Sequence, residues 1–167
     1  MFRPAIVMAV CALAASLCVA QVLKDQSLPL PDGADRAAAV QFLDPQQVTI
    51  PAQHAAQIDL HFRVADGLHI NSHAPLEKSL IPARLAVVEE PGLNVTAVDF
   101  PPGTEYALQL APREKLSVYT GEFILHVHLT ARPGQHLLNG ALRYQACDSN
   151  ACMPPHTIPV SVTVVAQ

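Results

Sequence analysis

Ile58-Asp59-Leu60-His61-Phe62-Arg63-Val64 puts four apolar side chains on one side of an extended chain and three polar ones on the other. Successive side chains of a strand point to opposite faces, so a period of two marks a strand with one face buried and one in water. The pattern recurs in Phe123, Leu125, Val127 and Leu129 and again in Ile158, Val160, Val162 and Val164, with Leu138, Gly140, Leu142 and Tyr144 between them. Asp66-Gly67, Pro91-Gly92, Pro101-Pro102-Gly103, Thr120-Gly121 and Pro133-Gly134 punctuate these runs as turns. No amphipathic helix pattern follows residue 40. Short antiparallel strands joined by such turns predict an all-β, immunoglobulin-like β-sandwich of about seven to nine strands, with a closed barrel as the alternative. The chain has no tryptophan.

The N-terminus predicts export. Arg3 supplies a positive start, Ile6 to Leu17 an apolar stretch too short to span a bilayer comfortably, and Cys18-Val19-Ala20 a small-residue cleavage site. Residues 1–20 are therefore expected to be a signal peptide, residues 21–40 a flexible leader with Pro29, Pro31 and Gly33, and residues 41–167 the folded domain. The formal charge is −4 over the whole chain and one unit lower once Arg3 leaves. Without a clustered basic surface, nucleic-acid binding is not expected.

Of the four cysteines, export removes Cys11 and Cys18. Cys147 and Cys152 remain, a CX4C pair after an apolar run and before Met153-Pro154-Pro155. Two exported cysteines can form a disulfide, and the spacing leaves two roles open. Closing so short a loop stabilises by only about 2 kcal/mol, against nearly 5 for a 100-residue loop, which is inefficient for a staple. A short loop can also hold a disulfide in an exchangeable state. Asp148 is expected to raise the pKa of the Cys147 thiol, and a protonated His156 would stabilise a thiolate at Cys152. Pro154 and Pro155 restrict the backbone beside Cys152.

Tyr144-Gln145-Ala146-Cys147 and Cys152-Met153-Pro154-Pro155, with the strand after them, resemble the N-terminal periplasmic domain of the disulfide reductase DsbD. Asp66-Gly67-Leu68-His69-Ile70-Asn71-Ser72-His73, Leu80-Ile81-Pro82-Ala83-Arg84-Leu85 and Val118-Tyr119-Thr120-Gly121 extend the resemblance over roughly residues 40 to 165. It implies an immunoglobulin-like domain in the periplasm whose cysteine pair passes electrons between partner proteins, with no metal or organic cofactor. Carried over, Cys152 forms the mixed disulfide and Cys147 resolves it, while Tyr144, Pro154, Pro155 and His156 shape the site. The implied partners are periplasmic thioredoxin-fold proteins and a separately encoded membrane electron conduit, since full-length family members continue into membrane and thioredoxin-like parts beyond the point that corresponds to Gln167. The family also shields its cysteines with an aromatic-tipped cap loop. The corresponding stretch here, about Leu108 to Leu116, holds Pro112 and Arg113 but no aromatic residue, leaving Leu110 or Leu116 to cover the sulfurs.

Two other functions fit some of the same residues. Cys147, Cys152, Met153 and His156 offer thiolate, thioether and imidazole ligands suited to Cu(I), and His126 with His128 share one strand face. A sandwich whose cysteines merely pin a loop would instead be a non-catalytic interaction module. His69, Asn71 and His73 suit either a groove lining or a strand-to-loop transition. Ser72, Ser79 and Ser149 sit in no nucleophile-elbow context, and no phosphate-binding glycine loop occurs.

Overall fold

The computed structural model describes residues 38–43, 47–107 and 114–167. The chain divides into two units, Met1–Asp35 and Arg36–Gln167, and all described residues belong to the second. The expected signal peptide, and the leader up to residue 37, lie outside the described residues.

The described residues form twelve strands and no helix. In chain order they are β1 (Val40–Phe42), β2 (Gln47–Ile50), β3 (Ala56–Val64), β4 (His69–Asn71), β5 (Arg84–Val87) and β6 (Leu93–Asp99). Then follow β7 (Thr104–Ala107), β8 (Lys115–Tyr119), β9 (Glu122–Ala131), β10 (Gly134–Tyr144), β11 (Ala146–Cys147) and β12 (His156–Ala166). A first sheet has the order β1-β3-β9-β6, a second β2-β12-β10-β5, and a third β11-β4-β8-β7. The count exceeds the expected seven to nine because β1, β2, β4 and β11 are two to four residues long, too short to display a period of two. Val40, expected as the last residue of the leader, opens β1 and is fully buried. One pairing departs from the antiparallel expectation, since β2 runs parallel to β12, with Val48 opposite Val164. Side-chain alternation reports which face is buried and carries no information on the direction of a neighbour.

The first two sheets bury their inner faces in one core, as an immunoglobulin-like sandwich does. Ile58, Leu60, Phe62 and Val64 meet Phe123, Leu125, Val127 and Leu129 from the neighbouring strand. Leu138, Leu142 and Tyr144 meet Ile158, Val160, Val162 and Val164. These are the residues whose alternation predicts strands. Outward-facing His126 and His128 each engage a carboxylate on an adjacent strand, Asp59 at 2.7 Å and Asp99 at 2.8 Å.

The third sheet borrows its strands from both layers. β3 and β9 pair up to Arg63 and Glu122, and the chain then turns through Asp66-Gly67 on one strand and Thr120-Gly121 on the other. Beyond these corners the same two segments pair again as β4 and β8, with Ile70 opposite Tyr119. Gly67 (φ 77°) and Gly121 (φ 58°) sit in the left-handed region that favours glycine. From the second layer, β10 continues past Gln145 into β11, which pairs with β4. Stacked rings tie core to corner: Phe62 lies 5.3 Å from Phe123, which lies 4.8 Å from Tyr119. The Tyr119 hydroxyl donates to the Pro101 carbonyl at 2.9 Å and accepts from the His73 amide at 3.2 Å, holding the approach to β7.

Gly103, just before β7, packs against β8 so closely that an added Cβ would lie 2.1 Å from Ser117 Oγ and 2.7 Å from Ser72 Cβ. Those two hydroxyls are hydrogen-bonded to each other at 2.8 Å. Gly103→Ala is therefore expected to destabilise the domain by about 1–3 kcal/mol through overpacking, measured by denaturant unfolding of the oxidised protein.

Candidate functional site

Cys147 and Cys152 are joined in a disulfide, with Cα atoms 3.9 Å apart. The two residues also bridge as antiparallel partners, and the Met153 amide donates to the Ala146 carbonyl at 2.8 Å, so residues 152–153 lie alongside β11. Residues 148–151 form the turn. The Asp148 carboxylate accepts from the amides of Asn150 at 2.6 Å and Ala151 at 2.8 Å, a side-chain-to-backbone arrangement that aspartate favours in turns. These two amides hold the Asp148 carboxyl below its ordinary pKa, with a smaller contribution from His69, and burial opposes them. Its charge is thus committed to the loop backbone as well as lying beside Cys147, where repulsion of a thiolate is expected.

Register places the rest of the site. Cys147 is the cross-strand partner of His69, so their side chains share one face of the third sheet. Two residues on, Asn71 lies opposite Val118, which lies opposite Thr104, and Leu116 lies opposite Tyr106. The alternate residues Ile70, Tyr119 and Ala146 join the main core, whereas Cys147, Leu116 and Val118 are buried outside it. His69, Asn71, Cys147, Leu116, Val118 and Tyr106 therefore form a second small interior, on the far side of the sheet from the sandwich. Asn71 Nδ2 donates to the Ile81 carbonyl at 3.1 Å and, at 3.4 Å, to the Gln145 side-chain oxygen. Gln145 Nε2 in turn donates to the Met153 carbonyl at 3.2 Å, tying the segment after Cys152 to the same network.

The two cysteines differ sharply in access. Cys147 is 2% exposed, while Cys152 is exposed, as are Pro154 and Pro155 beside it. Pro has no amide hydrogen, so these residues reach the surface without leaving an unpaired donor. His156 opens β12 as an exposed residue opposite Tyr144, whose ring it meets edge-on at 5.9 Å. Tyr144 itself is 1% exposed and belongs to the main core, and burial raises its pKa. Of the residues expected to shape the site, Pro154 and Pro155 flank the accessible cysteine, whereas Tyr144 lies on the core side of the strand that leads to Cys147. Met153 is partly buried and packs against the main core. Among the described residues no group of three or more His, Cys, Asp or Glu is placed to hold a metal ion.

Residues 108–113, most of the expected cap stretch, lie outside the described residues. Leu116, one of the two leucines considered as a cover, lies on the cysteine face and is buried. An aromatic ring is present two positions before the expected cap stretch: Tyr106 lies against His69, with ring centroids 4.5 Å apart. His69 is one of three residues, with Asn71 and His73, whose pattern in the sequence suits either a groove lining or a strand-to-loop transition. It is 2% exposed, burial lowers its pKa, and Asp148 partly offsets that shift. The signal available in the sequence was its spacing of two from Asn71 after a glycine turn, which marks a shared face without saying what lies opposite. His73, by contrast, is exposed and stacks on Phe100 at 4.3 Å.

Residues 39–163 match the family described as thiol:disulfide interchange protein DsbD, N-terminal. Similar solved structures include the reduced N-terminal domain of DsbD from Neisseria meningitidis, 18% identical over 67% of this chain and 80% of that one, with a TM-score of 0.43. The N-terminal periplasmic domain of ScsB from Proteus mirabilis is 15% identical over 74% of this chain and 43% of that one, with a TM-score of 0.46. Among curated proteins none matches. The family match spans well over half of the sequence and includes both bridged cysteines and the strands that carry them, and the chain belongs to the family of the DsbD N-terminal domain.

Proposed function

We propose that this domain is a periplasmic thiol–disulfide exchange module that passes electron pairs between partner proteins through Cys147 and Cys152. The observation that carries this reading is the unequal access of the two bonded cysteines, one buried and one exposed. Exchange requires in-line approach of a thiolate to one sulfur, and only the exposed residue offers that approach. A partner thiolate attacks Cys152 Sγ, a new intermolecular S–S bond forms, and the Cys147–Cys152 bond breaks with its electron pair left on Cys147. A second thiol of the partner then attacks the partner's own bridged sulfur and releases Cys152, so that the partner is oxidised to a disulfide and this domain is reduced to a dithiol. Run backwards, the dithiol reduces an oxidised partner. Family membership supports thioredoxin-fold proteins as the partners, with a membrane electron conduit as the source of electrons, and supports the periplasm as the compartment.

The role of each cysteine is tested by trapping. Cys147→Ser is expected to accumulate a mixed disulfide through Cys152 when mixed with an oxidised thioredoxin-fold protein, because the resolving thiol is missing. Cys152→Ser is expected to accumulate little, and equal yields on non-reducing gels would overturn the assignment. The reduction potential of the wild-type bond separates exchange from a loop staple. A value near about −200 mV is expected, whereas one below about −300 mV would make the bond structural.

A further inference from the structure

Next to the disulfide stands a titratable side chain that the exchange scheme leaves without a task. His69 is 2% exposed, and among the described residues its Nε2 has no hydrogen-bond partner. A buried polar atom left in that state costs free energy and calls for an explanation. Its cross-strand neighbour is Cys147, which in the oxidised protein is a disulfide half and carries no proton. Reduction changes that, because Cys147 then becomes a buried thiol on the same face of the same sheet.

We propose that His69 is the base that takes the Cys147 proton when Cys147 resolves the mixed disulfide at Cys152, an inference that rests on the exchange function. The proton passes from Cys147 Sγ to the imidazole as the sulfur forms its bond to Cys152 Sγ. The bond between Cys152 and the partner breaks, and the electron pair leaves on the partner's sulfur as a thiolate. The imidazolium then gives its proton to that thiolate or to water. In the opposite direction the same imidazolium protonates Cys147 as it is expelled.

The surroundings suit that task. Burial keeps the imidazole neutral, and so able to accept a proton, at neutral pH. Asp148, in the loop that follows β11, favours the imidazolium once it forms. Tyr106 from β7 lies against the ring at 4.5 Å, tilted by 32°, and β8 presents only apolar Leu116 and Val118 on this face. Asn71, on the ring's own strand, is uncharged. A buried thiol is a poor nucleophile until it loses its proton, and water has little access to remove it.

The test uses the full domain, reduced and then mixed with excess Ellman's reagent, which places a thionitrobenzoate on Cys152. Attack by Cys147 releases a second thionitrobenzoate in a phase whose rate does not depend on reagent concentration. For the wild type that rate is expected to rise with pH and level off below 6.5, the ordinary histidine value. His69→Gln is expected to slow the phase about 100-fold near neutral pH and to move its rise to the thiol range, about 8.5 or above. A wild-type profile with no break below 6.5 overturns the proposal, and this holds even where the variant does not fold. Equal rates and profiles for wild type and His69→Gln overturn it as well. If the second phase is missing from the wild type, or persists in Cys147→Ser, the exchange function itself fails and this inference falls with it.

Discussion

The pairing of β4 with β11 is the contact on which the rest of the site depends. It places Cys147 opposite His69 and Ala146 opposite Ile70, so the first pair faces the second interior and the second pair faces the sandwich core. A slip of one residue would exchange these faces, sending the sulfur into the main core and an alanine to the site. The register is secured from both sides, by burial of Ile70, Tyr119 and Ala146 in the core and by the Asn71–Gln145–Met153 hydrogen bonds. Neither β4 nor β11 is long enough to hold its register alone. Each is an extension of a long strand that the sandwich already fixes.

This construction explains how a buried cysteine and an exposed one come to share a bond five residues apart in sequence. Cys147 belongs to a strand, and its side chain must go where the pleat sends it. Cys152 lies on the return of the loop at the open edge of the third sheet, with Asp148 tying the turn and the two prolines leading the chain away. The aromatic series from Phe62 through Phe123 to Tyr119 gives the corner a rigid base. The core thereby positions the site without contributing chemistry to it.

Much of the sandwich is legible in the sequence because burial on one face leaves a period of two. The alternation in residues 58–64 and 123–129 matches the buried residues found there, and Gly67, Gly92, Gly121 and Gly134 all adopt positive φ at turns marked by sequence. The third sheet is less legible. Its strands are short, and β4 is buried at His69, Ile70 and Asn71 alike because it has an interior on each side, which erases the alternation. The parallel β2–β12 pair left no local mark either, being a choice of neighbour rather than of conformation.

By itself the sequence determined the long strands, the turns, the family and the pair of cysteines, since each depends on residues close together in the chain. Tertiary structure alone decided which cysteine is accessible, that His69 stands across from the other, and that Tyr106 covers it. The physical reason is distance along the chain. Cys147, His69 and Tyr106 come from three separate strands, and only the hydrogen-bonded register between strands brings them to one face.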